Sequence, residues 1–259
     1  MADAGENGEH YDPKYFSATF AAEQRHFWFR YRSDVIGAAA RRAWAERPGR
    51  PRARVLEVGC GTGSLLPVLQ QSCAGAAVVG MELFAEGLQF ARHRTSAGLV
   101  CGRIEALPFG GTFALIGLFD VLEHIPDDVA ALIHLREHLD GDGTLLLTVP
   151  AHQALWSPFD EASGHVRRYS EESLRQACHA AGLAVDFLTQ FMLPVLPLVW
   201  INRRLVGPRV ASDAVTRELH VPAVLNAALL GLLRLEGAWI DAGRRVPIGS
   251  SILARARRA

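Results

Sequence analysis

Short apolar runs alternate along the chain with longer stretches in which apolar residues recur every three or four positions. The short runs cover residues 55–58, 76–80, 99–102, 115–119, 144–149 and 183–191, and each predicts a strand. The stretches between them have the spacing of amphipathic helices, so an α/β fold with a mainly parallel sheet is expected. A last run, residues 250–256, alternates its side chains as an antiparallel closing strand does. The pattern therefore predicts a doubly wound sheet of seven strands.

The same pattern divides the chain into four segments. Residues 1–50 hold a polar tail, expected to be disordered over residues 1–10, and a helical segment from Tyr11 to Trp44 that is rich in aromatic residues. Residues 51–191 form the core, residues 192–249 a helical insertion, and residues 250–259 the closing strand. The aromatic segment is either a helix packed on the surface of the core or a lid over a ligand pocket.

The first strand runs into a turn rich in glycine. Residues 55–58 are followed by Gly59, Gly61 and Gly63, and a helical pattern begins just afterwards. Glycine permits positive φ angles and the close approach of a ligand, and the helix presents free N–H groups at its start. The turn therefore predicts a site for a nucleotide-like cofactor. The dinucleotide fingerprint fits poorly, because Ser64 stands where that fingerprint has its third glycine.

Three stretches carry a resemblance to a known family. They are Glu57-Val-Gly-Cys-Gly-Thr-Gly63 at the glycine turn, Asp120-Val-Leu-Glu-His-Ile125 after the fourth strand, and Asp140-Gly-Asp-Gly143 before the fifth. Together they resemble the class I S-adenosylmethionine-dependent methyltransferases. The loop from Leu155 to Tyr169 is similar to a Leu-Trp-Ser-x-Phe-Asp…His-x-Arg-Arg-Tyr pattern in a bacterial subgroup of that superfamily. The resemblance implies a Rossmann-like fold, S-adenosylmethionine as cofactor, and methyl transfer.

The cofactor is expected at the carboxyl ends of the strands. Glu82 ends the second strand about 20 residues past the glycine turn, where an acid accepts the ribose hydroxyls. Relatives have an aspartate where this chain has Arg103, so adenine contacts fall to Ile104, to Glu105 or to stacking. The candidate cofactor residues are Glu57, Gly59, Cys60, Gly61, Gly63, Glu82, Leu83, Ile104, Glu105, Asp120 and Val121.

Candidate catalytic residues follow the fourth strand. A hydroxyl or carbon-acid acceptor must lose a proton, and the pKa of a histidine lies near working pH. His124 is the first candidate base, and a helix start there would point Asp120 and His124 the same way. His165, in the loop after the fifth strand, is the alternative base. His124 and Glu123 are otherwise residues that cap the following helix and hold the loop.

Candidate acceptor residues come from the lid and from the two loops. They are Trp28, Tyr31, Glu123, Trp156, Arg167, Arg168 and Tyr169. Paired arginines suit a carboxylate or phosphate on the acceptor. The competing interpretation is an internal salt bridge from Arg167 or Arg168 to Asp160 or Glu161 that fixes the loop. No ligand spacing along the sequence predicts a metal site.

Composition narrows the class of partner. Lys and Arg total 27 against 27 Asp and Glu, so no net field favours nucleic acid. The polar start lacks a signal segment, and the four cysteines lack metal or disulfide spacing, which favours a cytoplasmic protein. The apolar stretch 223–240 contains Asn226, Arg234 and Glu236, which argues against a transmembrane helix. It is a packed cap, a wall for an apolar acceptor, or a surface in contact with a membrane.

The leading hypothesis is methyl transfer from S-adenosylmethionine to the O, N or C atom of a small, partly apolar or anionic acceptor. Two alternatives remain from the sequence. One is an NAD-type oxidoreductase, and the other is a scaffold protein that keeps the cofactor pocket without turnover, which Arg103 favours. The oligomeric state is open.

Overall fold

The computed structural model describes residues 12–46, 52–198, 200 and 221–259. Its centre is one seven-stranded sheet in the order β3-β2-β1-β4-β5-β7-β6. β1 to β5 run parallel, and β7 is antiparallel to both of its neighbours. This confirms the predicted class, a Rossmann-like α/β fold. The strands are β1 Arg54–Val58, β2 Ala77–Glu82, β3 Gly98–Cys101, β4 Phe113–Phe119, β5 Leu139–Pro150, β6 Leu183–Phe191 and β7 Ser251–Arg258.

Helices cover both faces of the sheet. They are α1 Phe16–Glu23, α2 Phe27–Ala45, α3 Leu66–Ser72, α4 Ala85–Ala91, α5 Asp128–Glu137, α6 Pro158–Ala162, α7 Glu171–Ala180 and α8 Ala223–Asp241. Side chains alternate along β1: Leu56 packs in the core with α5 and α7, whereas Val55 packs with α2 and α3. A strand buried on both faces reads as a continuous apolar run for this reason.

The aromatic segment is two helices, not the single helix predicted over residues 11–44. α1 ends at Glu23 and α2 begins at Phe27. His26 has extended backbone angles, and its Nδ1 accepts a hydrogen bond of 3.2 Å from the Trp28 N–H. A side chain that caps the start of α2 also breaks the preceding helix, because its own residue leaves the helical conformation. Residues 1–11 and 47–51 of the tail and linker lie outside the described residues.

Residues 140–143, expected before the fifth strand, are instead an irregularity inside β5. Phe113 of β4 pairs with Leu139, whereas Leu115 pairs with Thr144, so β5 carries extra residues opposite β4. Such a bulge bends a strand without ending it. Asp127 then caps α5 by accepting the Ala130 N–H at 2.9 Å, and the helix begins at Asp128.

The segment between β6 and β7 packs one helix against the N-terminal region. Leu230 and Leu233 of α8 are buried in a cluster with Val35 of α2. Glu236 accepts hydrogen bonds from the Tyr31 hydroxyl at 2.7 Å and from the backbone N–H of Met192 at 2.6 Å. Residues 199 and 201–220 of the predicted insertion lie outside the described part of the chain.

The outer face of α8 is apolar and exposed. Val224 is 84% exposed and Leu235 71%. By length and composition alone, α8 is apolar enough to cross a membrane, although sequence analysis discounted a spanning helix. Its inner face is nevertheless bound to α2 of the same fold.

Candidate active site

The glycine turn has the backbone geometry that its sequence predicts. Gly59, Gly61 and Gly63 have φ angles of +71°, +52° and +75°. The Gly59 N–H donates to the Met81 carbonyl at 2.8 Å, which ties the turn to the end of β2. Residues with a Cβ are strained in this region of φ, so the three glycines are required by the turn itself.

The glycines of the turn differ in how much room a side chain would have at each position. A Cβ on Gly59 would lie 2.4 Å from Val121 Cγ2, because the loop after β4 packs against the turn. At Gly61 the nearest atom to such a Cβ is Phe16 Cε1, at 3.8 Å. Gly61 is therefore the open position, bounded by α1, and Val121 forms part of the wall of the turn.

Glu82 lies at the end of β2 beside Gly61. Its Oε2 accepts the Gly61 N–H at 2.8 Å, and its Oε1 accepts the Phe84 N–H at 3.1 Å. Burial raises the pKa of Glu82, although the backbone hydrogen bonds oppose that shift. Each carboxylate oxygen keeps a further lone pair, so Glu82 can still accept a pair of ribose hydroxyls. Leu83 follows it and is half-buried.

Glu57 and Cys60 are buried beneath the turn. Among the described residues, Oε2 of Glu57 has no hydrogen-bond partner. Burial raises the pKa of Glu57 to about 8, even though Arg32 favours its charged form. Burial also raises the pKa of the Cys60 thiol. Glu57 is thus a buried carboxyl with a polar atom that no described residue satisfies, under the cofactor turn.

The N-terminal segment lies against the glycine turn. Glu23, at the end of α1, accepts a hydrogen bond from the Thr62 hydroxyl at 2.5 Å and pairs with Arg94. Arg94 also donates to the Phe20 carbonyl at 2.8 Å. These contacts place α1 beside the cofactor turn, as a lid requires. Sequence analysis missed Glu23 and Arg94, because neither lies in a motif.

The segment after β3 holds the remaining cofactor candidates. Ile104 is buried, whereas Glu105 is exposed and lies 3.7 Å from Arg103 in an ion pair. The residue that replaces the family's aspartate is therefore paired with its neighbour. Contact of Ile104 or Glu105 with adenine stays a prediction.

Asp120 is held by a partner that sequence analysis did not identify. Arg32 of α2 forms a salt bridge with Asp120 and donates to the Phe119 carbonyl at 2.8 Å. The Thr148 hydroxyl donates to Asp120 Oδ1 at 3.1 Å. Asp120 has a φ of +55°, a strained value for a residue with a side chain. Strain of this kind clusters at functional sites.

The predicted helix start at Asp120 and His124 is wrong. Residues 122–124 form a short 3₁₀ turn, and α5 begins only at Asp128. The two side chains are therefore not one α-helical turn apart. Arg32 is the charge partner of Asp120, and a catalytic role for Asp120 stays a prediction.

The loops after β4 and β5 meet at Glu123, His124 and His165. The Val166 N–H donates to the Glu123 carbonyl at 2.8 Å, which joins the two loops. The ring centroids of His124 and His165 are 4.8 Å apart. Burial and the nearby Asp120 raise the pKa of Glu123 well above its usual range. The two alternative bases of the sequence analysis thus share one cluster with Glu123.

Asp160 is the centre of the loop after β5. It is fully buried, and its Oδ1 lies 2.9 Å from His165 Nδ1 and 2.7 Å from Arg168 Nε. Its Oδ2 accepts the Ser157 N–H at 2.8 Å. Burial alone would raise the pKa of Asp160, but His165 and Arg168 outweigh it and hold the pKa at about 2. The competing salt-bridge interpretation therefore describes Arg168, which is buried and paired with Asp160.

Three other predicted acceptor residues have partners within the protein itself. Tyr169 is buried and donates to Asp128 Oδ2 at 2.8 Å, and Tyr31 is buried against Glu236. Arg167 pairs with Asp128 at 2.7 Å. Three candidates remain as predictions: Glu123, Trp28, which is half-buried beside Arg32, and Trp156, whose Nε1 lies 3.3 Å from Glu161.

A mainly parallel sheet that gathers a glycine turn, an acid suited to ribose hydroxyls and an ionisable cluster at one edge is the architecture of nucleotide-binding doubly wound folds. The chain belongs to the methyltransferase-domain family, which matches residues 27–187. The NAD-type oxidoreductase and the scaffold protein are therefore not supported.

Two curated relatives match parts of the chain. It is 34% identical over 119 residues to the trans-aconitate 2-methyltransferase of Deinococcus radiodurans, covering 46% of each chain. It is 32% identical over 106 residues to the ubiquinone biosynthesis O-methyltransferase of Haemophilus ducreyi, covering 37% of this chain and 44% of that one. The chain thus spans less than half the length of these relatives.

Solved methyltransferases share the fold. A Haloferax volcanii methyltransferase in complex with the Trm112 activator superposes with a TM-score of 0.62 at 16% identity, covering 97% of both chains. Magnesium protoporphyrin IX methyltransferase from Synechocystis, solved with bound S-adenosylmethionine, has a TM-score of 0.53 at 18% identity and covers 72% of this chain and 91% of that one. At these identities the likeness shows the fold alone.

S-adenosylmethionine is the cofactor of this family, and the site fits it. Gly61 leaves room for a ligand where a Cβ would project, and Glu82 offers carboxylate oxygens to ribose hydroxyls beside it. Both features lie at the carboxyl ends of β1 and β2, where nucleotides bind in doubly wound sheets. The contact of each residue with the cofactor stays a prediction.

Proposed function

We propose that this protein transfers the methyl group of S-adenosylmethionine to an oxygen atom of a small molecule. The names of the relatives support a small-molecule acceptor, and one of them is an O-methyltransferase. The observation that carries the proposal is the pairing of His165 with buried Asp160, next to Glu123 and His124. A histidine whose Nδ1 donates to a carboxylate has Nε2 available as a base.

The chemistry assigned to the chain is proton removal and alignment. The cofactor supplies a methyl carbon on a sulfonium, and the carbon–sulfur bond breaks as the oxygen–carbon bond forms, leaving a neutral thioether. His165 takes the proton of the acceptor hydroxyl, and Asp160 stabilises the imidazolium that results. Arg32 and Asp120 fix the loop after β4, so the acceptor oxygen meets a preorganised surface.

The arginine side chains described at the site favour an acceptor with a neutral hydroxyl over a polycarboxylate acceptor. Arg32, Arg167 and Arg168 each pair with a carboxylate of the protein itself. An anionic acceptor would have to compete with Asp120, Asp128 or Asp160 for them. A hydroxyl on an aromatic or otherwise apolar molecule needs only the histidine and an apolar wall.

Methyl transfer to a panel of acceptors tests the proposal. Phenols and catechols, di- and tricarboxylic acids, amines and thiols are incubated with S-adenosylmethionine, and methylated products are identified by mass spectrometry. We expect O-methylated phenolic products. His165→Ala should lower kcat by about 10²-fold or more, whereas His134→Ala, an exposed histidine of α5, should match the unchanged protein. Exclusive methylation of amines or thiols would contradict the proposal.

A further inference from the structure

One glutamate and two histidines, all of types that bind metal ions, lie close together at the carboxyl edge of the sheet. Glu123 and His124 follow β4, and His165 follows β5. One nitrogen or oxygen atom from each residue lies within 4.8 Å of the other two. Sequence spacing gave no sign of this group, because the fold, not a local motif, brings His165 to the other two.

The second nitrogen of each histidine already has the neighbour that a metal ligand needs. His165 Nδ1 lies 2.9 Å from Asp160 Oδ1, and His124 Nδ1 lies 3.3 Å from the Gly164 carbonyl. A proton on each Nδ1 places the lone pair on Nε2. Metal-bound histidines characteristically donate their other N–H to a carboxylate or a backbone carbonyl in this way, which sets the tautomer and ring orientation.

An independent observation points to a ligand for Glu123. Its side chain is 1% exposed, and its Oε2 has no hydrogen-bond partner among the described residues. A buried, unpaired carboxylate oxygen is costly. A cation held between this carboxylate and the two imidazoles would satisfy it.

We propose that Glu123, His124 and His165 bind one divalent transition-metal ion of the Zn²⁺ type. Two imidazoles and one carboxylate form a ligand set of catalytic zinc sites, which keep a further position open. Ligand atoms around such an ion are about 3.4 Å apart at zinc bond lengths of about 2.0–2.1 Å. The side chains must therefore close by about an ångström when the ion binds. Hard, oxygen-seeking Mg²⁺ and Ca²⁺ fit this nitrogen-rich set poorly.

The consequence for catalysis rests on the proposed function. With the ion bound, His165 is a ligand, and the open position receives the acceptor oxygen. The ion lowers the pKa of that hydroxyl, whose proton leaves to solvent, and His165 no longer has to act as the base. Metal binding itself needs neither cofactor nor acceptor, so it is measured without them.

The experiment is titration of the chelator-treated full chain with Zn²⁺ by calorimetry, and with Co²⁺ by visible absorption. We expect one ion per chain with a micromolar or tighter Kd, and a Co²⁺ spectrum typical of mixed nitrogen and oxygen ligands. His165→Ala and Glu123→Gln should each weaken Zn²⁺ binding by at least about tenfold. His134→Ala, on the exposed side of α5, should bind as the unchanged protein does.

X-ray absorption spectroscopy of the unchanged protein loaded with zinc identifies the ligands of the ion directly. This measurement does not depend on whether the variants fold. Two imidazoles in the first coordination sphere support the site. No binding, or equal affinity in His165→Ala and His134→Ala, would overturn it. Titration with S-adenosylmethionine in parallel separates the two proposals: cofactor binding and methyl transfer without any zinc binding remove the metal site and leave the proposed function standing.

Discussion

Gly61 is the residue on which cofactor binding can be tested most locally. Its φ is +52°, and a Cβ at this position would have no atom closer to it than 3.8 Å. Gly61→Val should fill that space and abolish binding of S-adenosylmethionine. Gly75→Val is the matched control, because Gly75 also has a positive φ, of +85°, but lies in an exposed turn with no atom within 4 Å of a Cβ.

Calorimetric titration of both variants checks the prediction. Each variant should lose about 1 kcal/mol or more of stability, because a side chain at a positive φ strains the backbone. Thermal unfolding measures this loss, which the two variants should have in common. Only Gly61→Val should lose the cofactor. Equal cofactor affinity in the two variants would mean that the space beside Gly61 is not part of the cofactor site.

The local sequence was enough to predict the geometry of residues that act through their backbone or that lie at the end of a strand. Gly59, Gly61 and Glu82 have the predicted geometry, because a strand, a turn and a helix fix them within a few residues. Arg32 and Glu23 were missed. Each pairs with a group far away in sequence, and no periodicity encodes such a partner.

The loop after β5 is an element held together by one buried carboxylate. Arg168→Ala should destabilise the protein by about 3–5 kcal/mol, because Asp160 would keep a buried charge without its guanidinium. Arg167→Ala is the control: its partner Asp128 is less deeply buried, and the cost should be about 1 kcal/mol or less. Chemical denaturation measures both. Comparable losses for the two variants would contradict the assignment of Asp160 as the centre of the loop.

Acid should act on the same element. The pKa of Asp160 falls from 3.8 to about 2 on folding, so its contribution is present above about pH 4 and is lost as the pH falls toward 2. The stability difference between the unchanged protein and Arg168→Ala should therefore shrink over that range.

Element boundaries show where local sequence ceased to be sufficient. β6 was predicted residue for residue, since Ser170 and Gly182 mark the helix before it. Residues 140–143, expected before the fifth strand, instead form a bulge inside it, because pairing with β4 continues on both sides of them. Tertiary hydrogen bonds overrode a strong local turn signal.

At the scale of the whole molecule, α8 joins the segment after β6 to the N-terminal helices. Leu233 is fully buried against α2, whereas Leu235 is 71% exposed on the opposite face. Leu233→Ala should cost about 2–5 kcal/mol of stability in detergent-free buffer, and Leu235→Ala about 0.5 kcal/mol or less. Thermal unfolding of the two variants measures both losses of stability. Equal, small effects would mean that α8 is not part of the folded core.

The position of β7 has a consequence for how the chain reaches this fold. β5 and β6 are not neighbours in the sheet. β7 lies between them, and its Ile252 pairs with Val149 of β5 on one side and with Gln190 of β6 on the other. Contacts this distant in sequence carry a large loop-closure entropy and form slowly. As the ribosome makes the chain in order, β5 leaves the tunnel long before β7 exists. Its open edge can pair with another nascent chain in that interval, so a holdase chaperone that shields β5 should raise the yield of folded protein.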